Sequence, residues 1–297
     1  MIVTKNFNFL EVNTRGGMLL PANRFMRKDD LVYVEFANLS KYKSKIFHAF
    51  TTREGGCSKG DFRALNLGFT SGDFTGNVLK NYAVLGEKLE IDIKRIVYSK
   101  QVHGSKVRMV TDRDVMGGID IEKSSFEYDA MVTNCRNVYL MAFFADCVPL
   151  FFYDVQKNVV AIAHSGWKGT YENVSANVVD TLKKEYNSNP KDLIVTIGPS
   201  IGNCCFEVGH DVIEKFVEKY ENIDDLYYLK SECEDEDEKK YNIDLWGIIR
   251  KCLIDCGLKQ ENIITSGICT KCKNEMFYSY RAQNALTGRL VGIIALK

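Results

Sequence analysis

Proline and histidine are scarce in this chain, with four of each in 297 residues, and acidic and basic charges cancel at 39 apiece. So little proline excludes a proline-rich linker or an extended low-complexity stalk. Zero net charge argues against a polyanionic partner such as nucleic acid, which clustered Lys and Arg would attract, but leaves room for one local phosphate site. No run of 18 apolar residues occurs, so no membrane-spanning helix is expected. The first residues lack the unbroken apolar core and small-residue cleavage site of a secretory signal, which predicts a cytoplasmic protein. Ten cysteines are too few for a disulfide scaffold of this length and read mostly as reduced thiols.

What remains is 45% hydrophobic, and a chain this long buries roughly three-quarters of its unfolded surface without covalent staples. Short β-branched and aromatic runs predict strands at 46–52, 95–103, 138–145, 150–153, 159–164, 193–197, 263–268 and 290–296. Several are apolar without alternation, as in strands covered on both faces. Helical spacing appears at 78–89, 172–186, 212–220 and 245–256, with Asn77, Asp211 and Asp244 as expected N-caps and Gly257 as a stop. Strands outnumber helices without strict βαβ alternation. A single-domain α+β (α/β) fold of layered mixed sheets with outer helices follows, in preference to a doubly wound parallel sheet. The acidic tract 232–238 reads as a solvated loop.

Two of the four histidines close expected strands before glycine-containing turns, in Gln101-Val-His-Gly104 and His164-Ser-Gly-Trp-Lys-Gly-Thr170. A third such strand runs into Ala145-Asp-Cys-Val-Pro149. Two imidazoles and a thiolate suit a catalytic Zn²⁺ with a fourth position open, and such a centre lowers the pKa of bound water. Copper binds the same donors tightly on affinity alone, so Cu²⁺ uptake in vitro is also expected. The same residues support a second chemistry, a cysteine hydrolase or amidase in which His103 or His164 activates Cys147. His48, inside an apolar strand, reads as a hydrogen-bonded core imidazole, and His210 as a surface or capping residue.

Arg53 opens the Glu54-Gly55-Gly56 turn, where an arginine fork and approachable backbone could hold phosphate. Lys168 is a second candidate for phosphate. Gln101, two residues before His103 on an expected strand, would share its face and reach purine or ribose. Asp146, beside Cys147, is the candidate acid/base, or alternatively a partner orienting a ligating His. No nucleotide-triphosphate fingerprint occurs. Cys269-Thr-Lys-Cys272 with Cys252 and Cys256 could be read as a Cys₄ zinc site, but Cys252 and Cys256 fit better as buried helical residues. Cys204-Cys205 is assigned no redox role.

Seven motifs then occur in order: Thr51-Thr-Arg-Glu-Gly-Gly-Cys-Ser58, Leu65-Asn-Leu-Gly68, Gln101-Val-His-Gly104, Ala145-Asp-Cys-Val-Pro149, His164-Ser-Gly-Trp-Lys-Gly-Thr170, Ile197-Gly-Pro-Ser-Ile-Gly202, and Phe277-Tyr-Ser-Tyr-Arg281 with Thr287-Gly-Arg289. Together they resemble the laccase-domain family, once labelled multicopper polyphenol oxidase, whose members are now assigned as purine nucleoside phosphorylases. The match runs from about residue 47 to 296. The resemblance implies an α/β/β/α sandwich over 46–297, with 1–45 adding N-terminal strands. It places metal on His103, Cys147 and His164. It also implies phosphorolysis of adenosine, inosine, guanosine and methylthioadenosine, and deamination of adenosine by a metal-activated water. Purine nucleosides and phosphate are the implied partners. Lys168 stands where many members carry Arg, which weakens a bidentate phosphate role there. A four-copper oxidase needs about ten imidazoles, and this chain has four, so the oxidase label does not suit it.

Overall fold

The computed structural model describes residues 22–115, 117, 126–231, 235 and 238–297. Most of the acidic tract and residues 1–21 of the 1–45 segment lie outside the described residues. In chain order the strands are β1 (Asn23–Lys28), β2 (Leu31–Phe36), β3 (Ile46–Thr51), β4 (Ile96–Tyr98), β5 (Val107–Met109), β6 (Ala130–Thr133), β7 (Tyr139–Phe144), β8 (Val148–Asp154), β9 (Val159–Ser165), β10 (Leu193–Ile197), β11 (Glu207–Gly209), β12 (Tyr227–Ser231), β13 (Lys240–Ile243), β14 (Ile263–Thr265) and β15 (Leu290–Leu296). The helices are α1 (Ala37–Ser40), α2 (Thr75–Leu89), α3 (Trp167–Tyr171), α4 (Val174–Tyr186), α5 (His210–Lys219) and α6 (Leu245–Asp255).

Two six-stranded mixed sheets run β1-β2-β3-β15-β7-β4 and β14-β10-β8-β9-β6-β5, and a small antiparallel sheet runs β11-β13-β12. The apolar runs lack alternation because each central strand serves two cores. In β8, Val148, Leu150 and Phe152 face the helix-covered core, while Phe151 and Tyr153 enter the core between the sheets. In β15, Leu290 and Ile294 face the inter-sheet core and Val291 and Ile293 face α2. Successive side chains on a strand point to opposite faces, so such strands must be apolar throughout. The layers are therefore α2, sheet, sheet and α3–α6, an α/β/β/α sandwich.

Several boundaries differ from the sequence reading. The expected strand 95–103 ends at Tyr98, and 263–268 ends at Thr265. Asn77 and Asp211 lie inside their helices, whose N-cap positions are Phe74 and Gly209. Asp244 does cap α6, accepting from the Trp246 N–H at 3.0 Å, and Gly257 follows that helix at φ +95°. The third sheet carried no apolar signal because β12 is mostly exposed. His48 is a core residue whose Nε2 accepts from the Phe36 N–H at 2.9 Å, and Cys252 is buried in α6. His210 begins α5, and its ring faces Tyr241. Among the described residues no helix is long and apolar enough to cross a membrane.

The chain crosses between the large sheets three times at one end of the sandwich, from β4 to β5, from β7 to β8 and from β14 to β15. The first two crossovers carry His103 and Cys147. β9 ends at the same place with His164.

Candidate metal centre and active site

His103, Cys147 and His164 converge although 61 positions separate the first from the last: their donor atoms all lie within 4.8 Å of one another. The imidazoles of His103 and His164 meet edge-on, with centroids 4.9 Å apart. His164 is buried at the end of β9, and His103 is exposed on its loop. A Cβ on Gly166 would lie 3.0 Å from the His103 ring and 3.2 Å from the Cys147 sulfur. Glycine there lets both side chains close over the turn.

Asp129, which precedes β6, organises the group. Its carboxylate accepts from His164 Nδ1 at 2.8 Å and from the backbone N–H groups of Val102, His103 and Gly104 at 3.2, 3.0 and 2.8 Å. The three N–H bonds hold the loop on which His103 sits at φ +61°. With Nδ1 committed to Asp129, His164 presents Nε2 to Cys147, the arrangement in which a carboxylate orients a ligating imidazole.

The electrostatics fit a cation. Burial pushes the Cys147 thiol up, but His164 and then His103 outweigh it and bring the thiol down to about 6. Burial opposes charging of His164, yet the Cys147 thiolate and Asp129 raise it to about 9. Burial also pushes the Asp129 carboxyl up, and its hydrogen bonds with His164 and the loop N–H groups more than reverse that. One thiolate and two imidazoles, one of them fixed by a buried carboxylate, make a set that can hold a metal ion with a fourth position free.

The group opens onto a cavity of about 680 Å³ whose walls include Phe69, Tyr98, Phe143, Phe206 and Tyr280 together with Arg281 and Arg289. Arg289 is half-buried, and burial lowers its pKa while Cys147 is the first group raising it. Its guanidinium donates only to the carbonyls of Thr287 and Gly288, at 3.0 and 3.1 Å, and among the described residues no carboxylate pairs with it. A Cβ on Gly68 would lie 2.4 Å from the Arg289 side chain, so the Leu65-Asn-Leu-Gly68 motif makes room for this arginine.

Four of the expected site residues are placed as follows. Arg53 does not line the cavity: its guanidinium stacks 4.6 Å from the Tyr278 centroid and donates to the Asn274 carbonyl at 3.0 Å. Gly55 and Gly56 are tight because the backbone of Leu31 and of Ala64–Leu65 packs on them. Lys168 is exposed on α3, beside the Trp167 ring and away from the cavity wall. Gln101 lines the cavity, but no strand carries it: its Nε2 donates to the Phe143 carbonyl at 2.8 Å and its Oε1 accepts from the Phe143 N–H at 2.7 Å. The side-chain amide thus replaces a ladder pair where β4 has ended. Asp146 has its carboxylate filled by Thr270 and Ser279 hydroxyls at 2.6 and 3.0 Å and the Arg281 N–H at 2.7 Å. At φ +87° it lines the cavity, shapes the corner from β7 to β8 and ties three loops together.

Asp129 and Arg289 carried no assigned role in the sequence reading. Asp129 left only the signal of an acid preceding an apolar strand, and Arg289 closed a recognised motif.

The family model described as multi-copper polyphenol oxidoreductase laccase matches residues 47–297. The chain is 34% identical over 268 residues to purine nucleoside phosphorylase YlmD of Bacillus subtilis, covering 90% of this chain and 94% of that protein. It is 29% identical to a purine nucleoside phosphorylase of Bacteroides thetaiotaomicron, over 88% of this chain and 95% of the relative. Among solved structures, hypothetical protein YfiH of Bacillus licheniformis superposes with a TM-score of 0.83 at 31% identity, covering 92% of this chain and 99% of the other. YlmD of Geobacillus stearothermophilus also gives 0.83, at 29% identity, covering 92% and 98%. A family match over residues 47–297, with a 34% identical relative aligned over 90% of the chain, makes this chain a member of the multi-copper polyphenol oxidoreductase laccase family.

Proposed function

We propose that this chain is a zinc-dependent purine nucleoside phosphorylase that cleaves adenosine, inosine, guanosine and methylthioadenosine to base and pentose 1-phosphate, and also deaminates adenosine to inosine. The observation that carries this reading is the opening of the His103, Cys147 and His164 donor set onto an aromatic cavity holding Arg289, which has no carboxylate partner among the described residues. Relatives named purine nucleoside phosphorylase support it.

In this reading the aromatic walls stack the purine, and Arg289 holds phosphate near the ribose, its charge compensated on binding. A phosphate oxygen bonds to C1′ as the C1′–N9 bond breaks, and the electron pair leaves with the base. Asp129 keeps His164 in the tautomer that leaves Nε2 free. Gln101 and Asp146 keep the crossover loops in place. Bound zinc supplies Lewis-acid polarisation. Every described cysteine is a free thiol, which accords with a cytoplasmic setting.

The test is incubation of the purified chain with each nucleoside, with and without phosphate, read by mass spectrometry. Free base and pentose 1-phosphate appearing only with phosphate support phosphorolysis, and inosine from adenosine supports deamination. Absence of all three products overturns the reading.

One observation favours a second reading. Cys147, His164 and Asp129 are linked as nucleophile, base and orienting carboxylate, the connectivity of a cysteine hydrolase. Stripping metal separates the two: the zinc enzyme loses turnover and recovers with added zinc, whereas a thiol nucleophile keeps working without metal.

A further inference from the structure

Cys204, Cys205, Cys269 and Cys272 form a second cluster, whose four sulfurs all lie within 4.8 Å of one another. The Cys204 and Cys205 sulfurs are 3.6 and 3.4 Å from that of Cys272. These spacings are too long for a disulfide, which needs about 2.05 Å. They approach the edge of about 3.8 Å in a tetrahedron of sulfurs each about 2.3 Å from one ion. In an iron–sulfur cluster at least two of the four thiolates bind different irons and stand farther apart than these four sulfurs do, so one mononuclear ion fits better.

The backbone is arranged for thiolates as well. The N–H groups of Gly202 and Cys272 hydrogen-bond to the Cys269 sulfur, the second closing the Cys269-Thr-Lys-Cys272 turn. Lys271 and Lys273 flank Cys272 in sequence, beside a centre whose formal charge with Zn²⁺ would be −2. The loops are also held independently. Thr270 N–H donates to the Ser200 carbonyl at 3.0 Å, Ser200 N–H to the Ile268 carbonyl at 3.1 Å, and Trp246 Nε1 to the Ser200 hydroxyl at 2.6 Å. The pairing of Cys269 and Cys272 with Cys252 and Cys256 weighed from sequence does not occur, because Cys252 is buried in α6.

We propose that Cys204, Cys205, Cys269 and Cys272 bind a structural zinc ion that clamps two loops of the active-site wall together. One loop brings Ile201 and Phe206 to the cavity, and the other leads to Tyr280 and Arg281. Zinc fits this site because four thiolates offer soft tetrahedral ligation and leave no position for water or substrate. The role is structural. It does not depend on the nucleoside reading and can fail without it.

The test is metal analysis of the full chain purified without a metal-affinity step. About two zinc ions per chain are expected, falling to about one in C269S/C272S and about one in H103A/C147S. The H103A/C147S protein loaded with cobalt should show the thiolate charge transfer and visible bands of a tetrahedral four-sulfur site. That measurement keeps the proposal testable if C269S/C272S does not fold. Zinc content unchanged by C269S/C272S, iron in place of zinc, a disulfide among the four, or a cobalt spectrum without thiolate bands each overturns it.

Discussion

The carboxylate of Asp129 lies 2.8 Å from His164 Nδ1 while it receives three successive N–H groups from the loop bearing His103. One buried acid thereby sets the tautomer of one imidazole and the position of another. Replacing it with asparagine keeps the size but turns an amide N–H toward donors. D129N should weaken zinc binding by about 10–100-fold, read by competition with a chromogenic chelator. An unchanged affinity would show that the loop holds His103 without it.

Gln101 pairs with both backbone groups of Phe143, so its loss should appear first in stability. Q101A should lower the unfolding free energy by about 1–3 kcal/mol in urea titrations. A normal urea midpoint combined with a raised nucleoside KM would restore Gln101 as a substrate contact.

Arg289 and Lys168 should separate cleanly. A charge-assisted hydrogen bond to phosphate is worth about 1.5–3 kcal/mol, so R289Q should raise the phosphate KM by about 10–150-fold. K168A, away from the cavity, should leave it within about twofold. Phosphate saturation curves at fixed inosine measure both, and the reverse ranking would sink the assignment of Arg289.

His48 predicts a pH dependence that does not involve the active site. Burial, the first cause, holds its folded pKa near 3, against 6.5 for the free group. Between these values the unfolded chain binds the extra proton, so stability is full above about 6.5 and falls as pH drops toward 3. The slope from this residue is at most about 1.4 kcal/mol per pH unit. H48Q, whose amide oxygen can still accept the Phe36 N–H, should show a flatter fall in urea midpoint between pH 6.5 and 4.5. An identical slope would place the acid sensitivity elsewhere.

The sequence alone determined the layers and much of the donor set. Strands apolar on both faces can only sit between two cores, and soft or imidazole donors at strand ends are chemically conspicuous wherever they occur. Only the tertiary structure decided which polar groups face the cavity. Arg53, Gln101 and Asp146 carry suitable chemistry, but their partners lie 42 to 221 residues away in the chain. A buried hydrogen bond uses up a group whose residue type advertises reactivity. Asp129 and Cys204-Cys205 show the converse: neither carried a role in its own segment, and Cys269-Thr-Lys-Cys272 was matched with Cys252 and Cys256 instead of with that pair. Their meaning came from chain crossovers and loop contacts, which local patterning does not encode.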